Sequence, residues 1–309
     1  MINGISHIGI GVDDADDSLK FYQGFLGFRN VVFDYEGLLP GMDRVAGKTG
    51  LKARIIMLAS DKVSPVASGM IKLVQVLNSK PHRPKVEFEW GNIGIAEVCL
   101  SVHNIEAVYK LATVEKGFKA VLAPSYYKIS GEEFKVCYFR GPSGVLIELI
   151  EWQMYRGFGG TPAIEAVNHV AIGVSNMEKS VRFYSDILGF KTEIFDYAGD
   201  MAIAAPMLPS PTPDMKMKMI SNSYKPAYLE VFQHLPPYRP PITAAHWGDI
   251  GHMEFAIEVS NLDRTYDQLL EKGVKFLCPP EKMVFPPSGE WKYAYVAEPD
   301  GLIVSLVEH

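Results

Sequence analysis

The sequence predicts an α+β protein built from four copies of one strand–helix–strand–strand–strand (βαβββ) module. Two self-similarities carry this reading. "ISHIGIGV" at Ile5 recurs as "VNHVAIGV" at Val167, an offset of 162 residues. The same offset carries Phe21-Tyr22 onto Phe183-Tyr184, Leu26-Gly27-Phe28 onto Leu188-Gly189-Phe190, and Phe33-Asp34-Tyr35 onto Phe195-Asp196-Tyr197. One register held over four blocks marks a tandem duplication. Each half then divides again. "EVCLSVHNIEAVYKLATVEKG" from Glu97 matches "EFAIEVSNLDRTYDQLLEKG" from Glu254, and "YFRGPSGVLIELIEW" matches "YVAEPDGLIVSLVEH", both at an offset of 157. The modules span about 3–80, 93–153, 165–237 and 250–309.

The elements follow in order within each module. In the opening strand of module three, Val170, Ile172 and Val174 fall on one face, and His169, Ala171 and Gly173 on the other. The small residues beside the histidine read as clearance for a ligand. Helices follow: Leu19, Tyr22 and Leu26, like Val181, Tyr184 and Leu188, recur at helical spacing. Ser175 with Glu178, and Ser260 with Asp263, resemble capping pairs, while Gly27, Gly117, Gly189 and Gly273 stop the helices. The remaining strands include "KARIIMLAS", "MIKLVQVL", "FKVCYF", "VLIELIEW", "KMKMIS", "YLEVFQ", "WKYAYV" and "LIVSLVE". "GPSG" and "EPDG" turn into the last strands of modules two and four. Gly and Pro at 157–162 suggest a linker between an N-terminal domain, 1–156, and a C-terminal domain, 163–309. The prolines of "AAPMLPSPTPDM" make that stretch a surface loop and a candidate lid.

Composition bounds the function. Of 309 residues 48% are hydrophobic and 21% charged, with a net charge of −6 and no basic stripe, so nucleic acid is not an expected partner. No apolar run reaches the roughly 18 residues of a membrane span, and the first residues lack a signal-peptide layout. Cys99, Cys137 and Cys278, odd in number and widely spaced, read as reduced thiols, which fits a cytoplasmic protein.

The "HxxixV…FYxxxLGF" openings and "PxG…IEL" closings make the chain similar to the vicinal oxygen chelate superfamily. That group contains glyoxalase I, epimerases, extradiol dioxygenases and metal-free resistance proteins. The resemblance covers almost the whole chain. It implies two glyoxalase-like domains, each a pair of modules whose mixed sheet curls into a cup with helices outside. It also implies that metal ligands come from the first and last strands of each module. Consecutive modules are expected to share a cup, so the first cup holds His7, Lys72, Glu97 and Glu148. The second then holds His169, Glu230, Glu254 and Ser305. A lysine among two glutamates neutralises them, so His7, Glu97 and Glu148 form the second-choice metal site. His169, Glu230 and Glu254 form the first choice, with Glu230 or Glu254 doubling as a catalytic base.

Strand parity adds His234 and His252 to the expected substrate pocket, with Ser305, Tyr293 and Tyr295. Trp291, Tyr293 and Tyr295 share a face that either walls a cup or packs under a helix. Met215, Met217 and Met219 alternate as a half-buried strand would, and pack in the core or line an apolar pocket. Asp34-Tyr35 and Asp196-Tyr197 suit turn geometry, and His82, His103 and His246 fall in solvated loops.

One divalent ion (Fe, Mn, Zn, Co or Ni) suits such nitrogen and oxygen donors. The resemblance then implies an isomerase, epimerase or glyoxalase-type lyase acting on a small carbonyl- or diol-containing substrate through a metal-stabilised enolate. An extradiol ring-cleaving dioxygenase using Fe(II) is the runner-up; Glu254 and Ser305, where that class has histidine and glutamate, count against it. His252 restores the histidine only through a strand bulge. A metal-free binding or resistance protein is the third reading. Either a monomer or a homodimer is compatible with four modules in one chain.

Overall fold

The computed structural model describes residues 1–83, 90, 92–152, 163–202, 207, 214–222, 224–235 and 246–309. The expected linker at 157–162 and most of the proline-rich segment lie outside these residues.

Module one contributes β1 (Ile2–Gly11), α1 (Ala15–Tyr22), β2 (Asn30–Leu38), the short α2 (Asp43–Ala46), β3 (Lys52–Ala59) and β4 (Met70–Val76). Module two contributes β5 (Gly94–His103), α3 (Ile105–Lys110), β6 (Ala120–Ile129), β7 (Glu132–Arg140) and β8 (Leu146–Trp152). Module three contributes β9 (Ala163–Gly173), α4 (Met177–Arg182), β10 (Thr192–Asp200), β11 (Asp214–Ser221) and β12 (Tyr228–His234). Module four contributes β13 (Gly251–Val259), α5 (Leu262–Glu271), β14 (Phe276–Phe285), β15 (Gly289–Ala297) and β16 (Ile303–Glu308).

The helices start one residue later than the serine pairs imply. Asn176 and Asn261 accept hydrogen bonds from the backbone N–H groups of Lys179 and Arg264, so asparagine rather than serine is the cap. Ser175 is instead held by Asp300, whose carboxylate accepts from its backbone N–H at 2.7 Å. The four helix-stopping glycines all have positive φ, between 70° and 82°, which a residue with a Cβ adopts only at a cost.

The sixteen strands form two curled sheets of eight. Their membership corrects the expected pairing of modules. The first sheet runs β14-β15-β16-β13-β1-β4-β3-β2, joining modules one and four; the second runs β10-β11-β12-β9-β5-β8-β7-β6, joining modules two and three. In each module the first strand pairs in parallel with the fourth, which leaves one edge to satisfy. β1 meets this need antiparallel with β13, and β5 with β9. Repeats this similar make the four edges nearly interchangeable, so local sequence does not specify which of them pair.

The outward faces of both sheets and the helices share one core, which includes Ile8, Ile10, Tyr22, Val170, Ile172, Tyr184 and Phe255. The inward faces form two separate apolar interiors, one per cup.

Candidate metal centre and a second cup

Each opening strand carries an extra, unpaired residue immediately before its candidate ligand. The registers step across Ser6 before His7, Ala96 before Glu97, Asn168 before His169 and Met253 before Glu254. Such bulges let two successive side chains face the same side. Ala96 and Met253 accordingly belong to the cup interiors.

In the second cup His169 of β9 meets three carboxylates: Glu97 of β5, Glu148 of β8 and Glu230 of β12. From its Nε2 the distances are 3.2 Å to Glu148 Oε2, 3.9 Å to Glu97 Oε1 and 3.9 Å to Glu230 Oε2. All four residues are at most 3% exposed. Tyr138 donates to Glu148 at 2.8 Å and reaches Glu97 at 3.5 Å. Behind the imidazole, Nδ1 donates to Asn168 Oδ1 at 2.8 Å, while the Asn168 amide donates to the Val66 carbonyl and the Ser101 hydroxyl. Asn168 thereby fixes the ring and aims Nε2 at the acids.

Three buried acids and one base push one another's protonation apart. Burial opposes the His169 charge, but the close Glu148 and Glu97 carboxylates and the attraction of Glu148 and Glu230 outweigh it and raise the imidazole to about 10. Burial also opposes the Glu148 charge, yet His169, Cys99 and Tyr138 hold this carboxyl below its ordinary value. Glu97 is pushed well up by burial and by Glu148. Glu230 rises to about 7, chiefly through burial, with His169 opposing and Glu148 adding. The Cys99 thiol, close to Glu148 and His169, is kept neutral by burial and by Glu148.

The donor set fits a divalent ion. Ligand atoms of Glu97, His169 and Glu230 all lie within 4.8 Å of one another. Apart from these ionic contacts with one another, Glu97 Oε2, Glu148 Oε2 and His169 Nε2 are buried with no hydrogen bond to any other group among the described residues. Such atoms are costly to bury unless a cation satisfies them. Above them lies a small pocket, about 300 Å³ only with the open space at its mouth included, lined by Glu148 and Glu230 and by Trp90, Tyr127, Met207 and Met217.

The first cup is built differently. His7 of β1, Lys72 of β4, Glu254 of β13 and Ser305 of β16 occupy the corresponding strands. Lys72 forms a buried ion pair with Glu254, and its ammonium lies 5.6 Å from the centre of the Trp247 ring. Burial and the neighbouring ammonium hold His7 well below the ordinary histidine range. With an ammonium already on its single carboxylate, this floor does not fit a metal ion.

The predicted site residues are therefore redistributed. Glu254 does not join His169 and Glu230, because β13 lies in the other sheet, and its carboxylate is taken by Lys72. Glu97 and Glu148 leave His7 and join His169, completing the cluster expected of the second-choice set with a different histidine. Ser305, Tyr293 and Tyr295 belong to the first cup, where Trp291, Tyr293 and Tyr295 do wall the cavity. His234 is buried on β12 of the second sheet. The backbone of His252 pairs with Ile10 of the first sheet; its side chain lies outside the described residues. The β13 bulge falls at Met253 and leaves Glu254 opposite Gly9.

Smaller expectations sort in the same way. Met215, Met217 and Met219 are buried in the second cup's interior, and Met217 lines its pocket. Tyr35 and Tyr197 donate to the carbonyls of Leu38 and Asp200, which is turn geometry. His103 is not a solvated loop histidine: it ends β5 and lies 2.8 Å from Glu165. The small residues beside the histidines clear space for protein rather than ligand. A Cβ on Gly173 would overlap the Asn92 carbonyl, and one on Gly9 would overlap the Glu254 side chain.

Tyr138 and Asn168 contact the cluster, and the sequence patterns above do not mark them. Tyr138 is findable, because the offset of 157 that aligns modules two and four places it on Tyr295. Asn168 acts through a bulge, which strand alternation conceals.

Paired βαβββ modules curled around a polar floor define a glyoxalase-type protein. Residues 4–149 and 166–306 match the family model described as Glyoxalase/Bleomycin resistance protein/Dioxygenase superfamily, and the chain belongs to that superfamily. Among curated relatives, a metallothiol transferase FosB from Shouchella clausii is 28% identical over 150 residues, 46% of this chain and 80% of the relative. A 2-epi-5-epi-valiolone epimerase from an Actinomyces species is 28% identical over 155 residues, 48% of this chain and 81% of the relative. In fold, glyoxalase I from Zea mays superposes with a TM-score of 0.60 at 19% identity, covering 98% of this chain and 92% of that one. No helix among the described residues is long and apolar enough to cross a membrane.

Proposed function

We propose that the chain is a metal-dependent enzyme that moves a proton next to a carbonyl in a small substrate, as an isomerase, epimerase or glyoxalase-type lyase. The observation that carries this reading is the meeting of His169 with Glu97, Glu148 and Glu230 under an open apolar pocket. These four residues would hold the divalent ion. When bound, it supplies Lewis acidity toward neighbouring substrate oxygens and takes the place of the imidazole proton.

The two carboxylates that open on the pocket are suited to different tasks. Glu148, fastened by Tyr138 and held below its ordinary value, stays charged. Glu230, raised to about 7 by burial in the metal-free protein, opens on the pocket and is the residue assigned as the base. It accepts the proton from the carbon beside the carbonyl and returns it to a neighbouring atom on the same face; an epimerisation needs a second acid on the opposite face of the enolate. Trp90, Met207 and Met217 keep bulk water from the exchanging proton. The epimerase among the relatives is in keeping with this chemistry. A cluster with one imidazole and three carboxylates argues against the ring-cleaving alternative, whose pattern has two histidines.

Elemental analysis of purified protein tests the reading. One divalent ion per chain is expected, lost in His169→Ala and kept in Glu254→Gln. Glu230→Gln should slow solvent-deuterium exchange into a bound carbonyl compound by about 100-fold or more. Metal that survives in His169→Ala would refute the assignment.

A further inference from the structure

The first cup lacks the donor set of a metal site but has a cavity. About 460 Å³ of space, its mouth included, opens above His7 and Lys72. Aromatic and thioether side chains line it: Phe33, Phe285, Trp291 and Tyr295 with Met42 and Met57. Phe33 of β2 and Phe285 of β14, on opposite edge strands, stack at 4.3 Å with their planes 10° apart. Tyr293 donates to the Pro40 carbonyl at 2.7 Å and so ties the segment before α2 to this cup.

The floor is polar but carries no net charge. Lys72 and Glu254 cancel each other, and His7 is held neutral. His7 Nε2 is buried, has no hydrogen-bond partner and belongs to a side chain that lines the cavity; Nδ1 is engaged by the Ser6 hydroxyl at 3.2 Å. Ser305 Oγ beside this floor is likewise buried without a partner. A buried nitrogen left in this state loses a hydrogen bond that a ligand would supply. An anionic or cationic ligand would be desolvated against a floor that offers it no free counter-charge.

We infer that the first cup is a metal-free binding site for an uncharged aromatic molecule with a single hydroxyl or carbonyl head. Its ring lies among Phe33, Phe285 and Trp291, and its head exchanges a hydrogen bond with His7 Nε2. The chain would then hold two unlike ligands, one in each cup, and this site stands independently of the reaction proposed for the other.

Calorimetric titration of the intact protein with 1-naphthol, 1-naphthoate and protonated 1-naphthylmethylamine tests the inference. These probes share a ring system and differ in charge. Naphthol is expected to bind at least tenfold more tightly than either ion. His7→Leu should weaken naphthol at least tenfold, and Glu230→Gln, in the other cup, should leave it unchanged. If His7→Leu does not fold, Met57→Trp, which fills the cavity, should abolish binding. No naphthol binding at millimolar concentration, a preference for either ion, or loss of binding in Glu230→Gln would overturn the site. A second equivalent of divalent metal that depends on His7 would overturn it as well.

Discussion

As the proposed ligand, His169 depends on Asn168 to hold it. In a neutral imidazole the proton that Nδ1 gives to Asn168 Oδ1 leaves Nε2 as the free lone pair facing the acids. Asn168→Ala removes that acceptor and also the amide bonds to Val66 and Ser101. It is expected to lower metal affinity by about 10- to 100-fold and stability by about 1–3 kcal/mol. A metal titration read beside a urea melt separates the two effects, and unchanged affinity would remove Asn168 from the site. The same logic distinguishes the two cups residue by residue. Where Glu230 stands on β12, β4 has Lys72, and that one exchange turns a cluster of acids into an internal ion pair.

At the scale of the element, the bulge is the device that shapes both cups. Strict alternation would put Asn168 and His169 on opposite faces; the extra residue brings Asn168 Oδ1 to the imidazole. Ile5 and Ile8, three apart on β1, both reach the shared core for the same reason. The end of the strand is equally constrained. At Gly173 the Asn92 carbonyl occupies the space of a Cβ, so Gly173→Ala must displace backbone. The expected cost is about 1–3 kcal/mol, read as a lower urea midpoint at unchanged slope. A neutral outcome would show that the 92–94 segment yields freely.

For the whole molecule, the joins between sheets matter more than the order of modules. Glu258 of β13 receives Lys225 from module three and Asn3 from module one, with the His309 ring 3.5 Å away. The His309 hydrogen bond lowers this carboxyl most; burial opposes it, Lys225 and Asn3 add to it, and the result is about 2. A carboxyl depressed on folding stabilises fully above its unfolded value near 4.3. That contribution fades as pH falls through the folded value of about 2. The stability gap between the wild type and Glu258→Gln should therefore shrink steadily as pH falls below about 4. A gap independent of pH down to 2 would refute the linkage. The crossed pairing makes a further prediction. Residues 1–156 expressed alone contain modules from two different sheets and lack β9 and β13, the partners of β5 and β1. They should bind no metal, and co-expression with 163–309 should restore one ion per complex. A half chain that binds metal with full affinity would contradict the observed sheets.

Much of this architecture was legible in the residues themselves. The family resemblance marks eight positions on the first and last strands of the modules for a cup floor; the offsets of 162 and 157 define the four modules, and hydrophobic periodicity assigns their strands and helices. These are local properties, set by backbone geometry and by which side chains avoid water. Tertiary structure decided which floors the eight positions share. Every opening strand has the same unsatisfied edge, and only the path of the whole chain brings β5 to β9 and β1 to β13. From that choice follows the chemistry: Glu97 and Glu148 meet His169 and Glu230, while Lys72 meets Glu254.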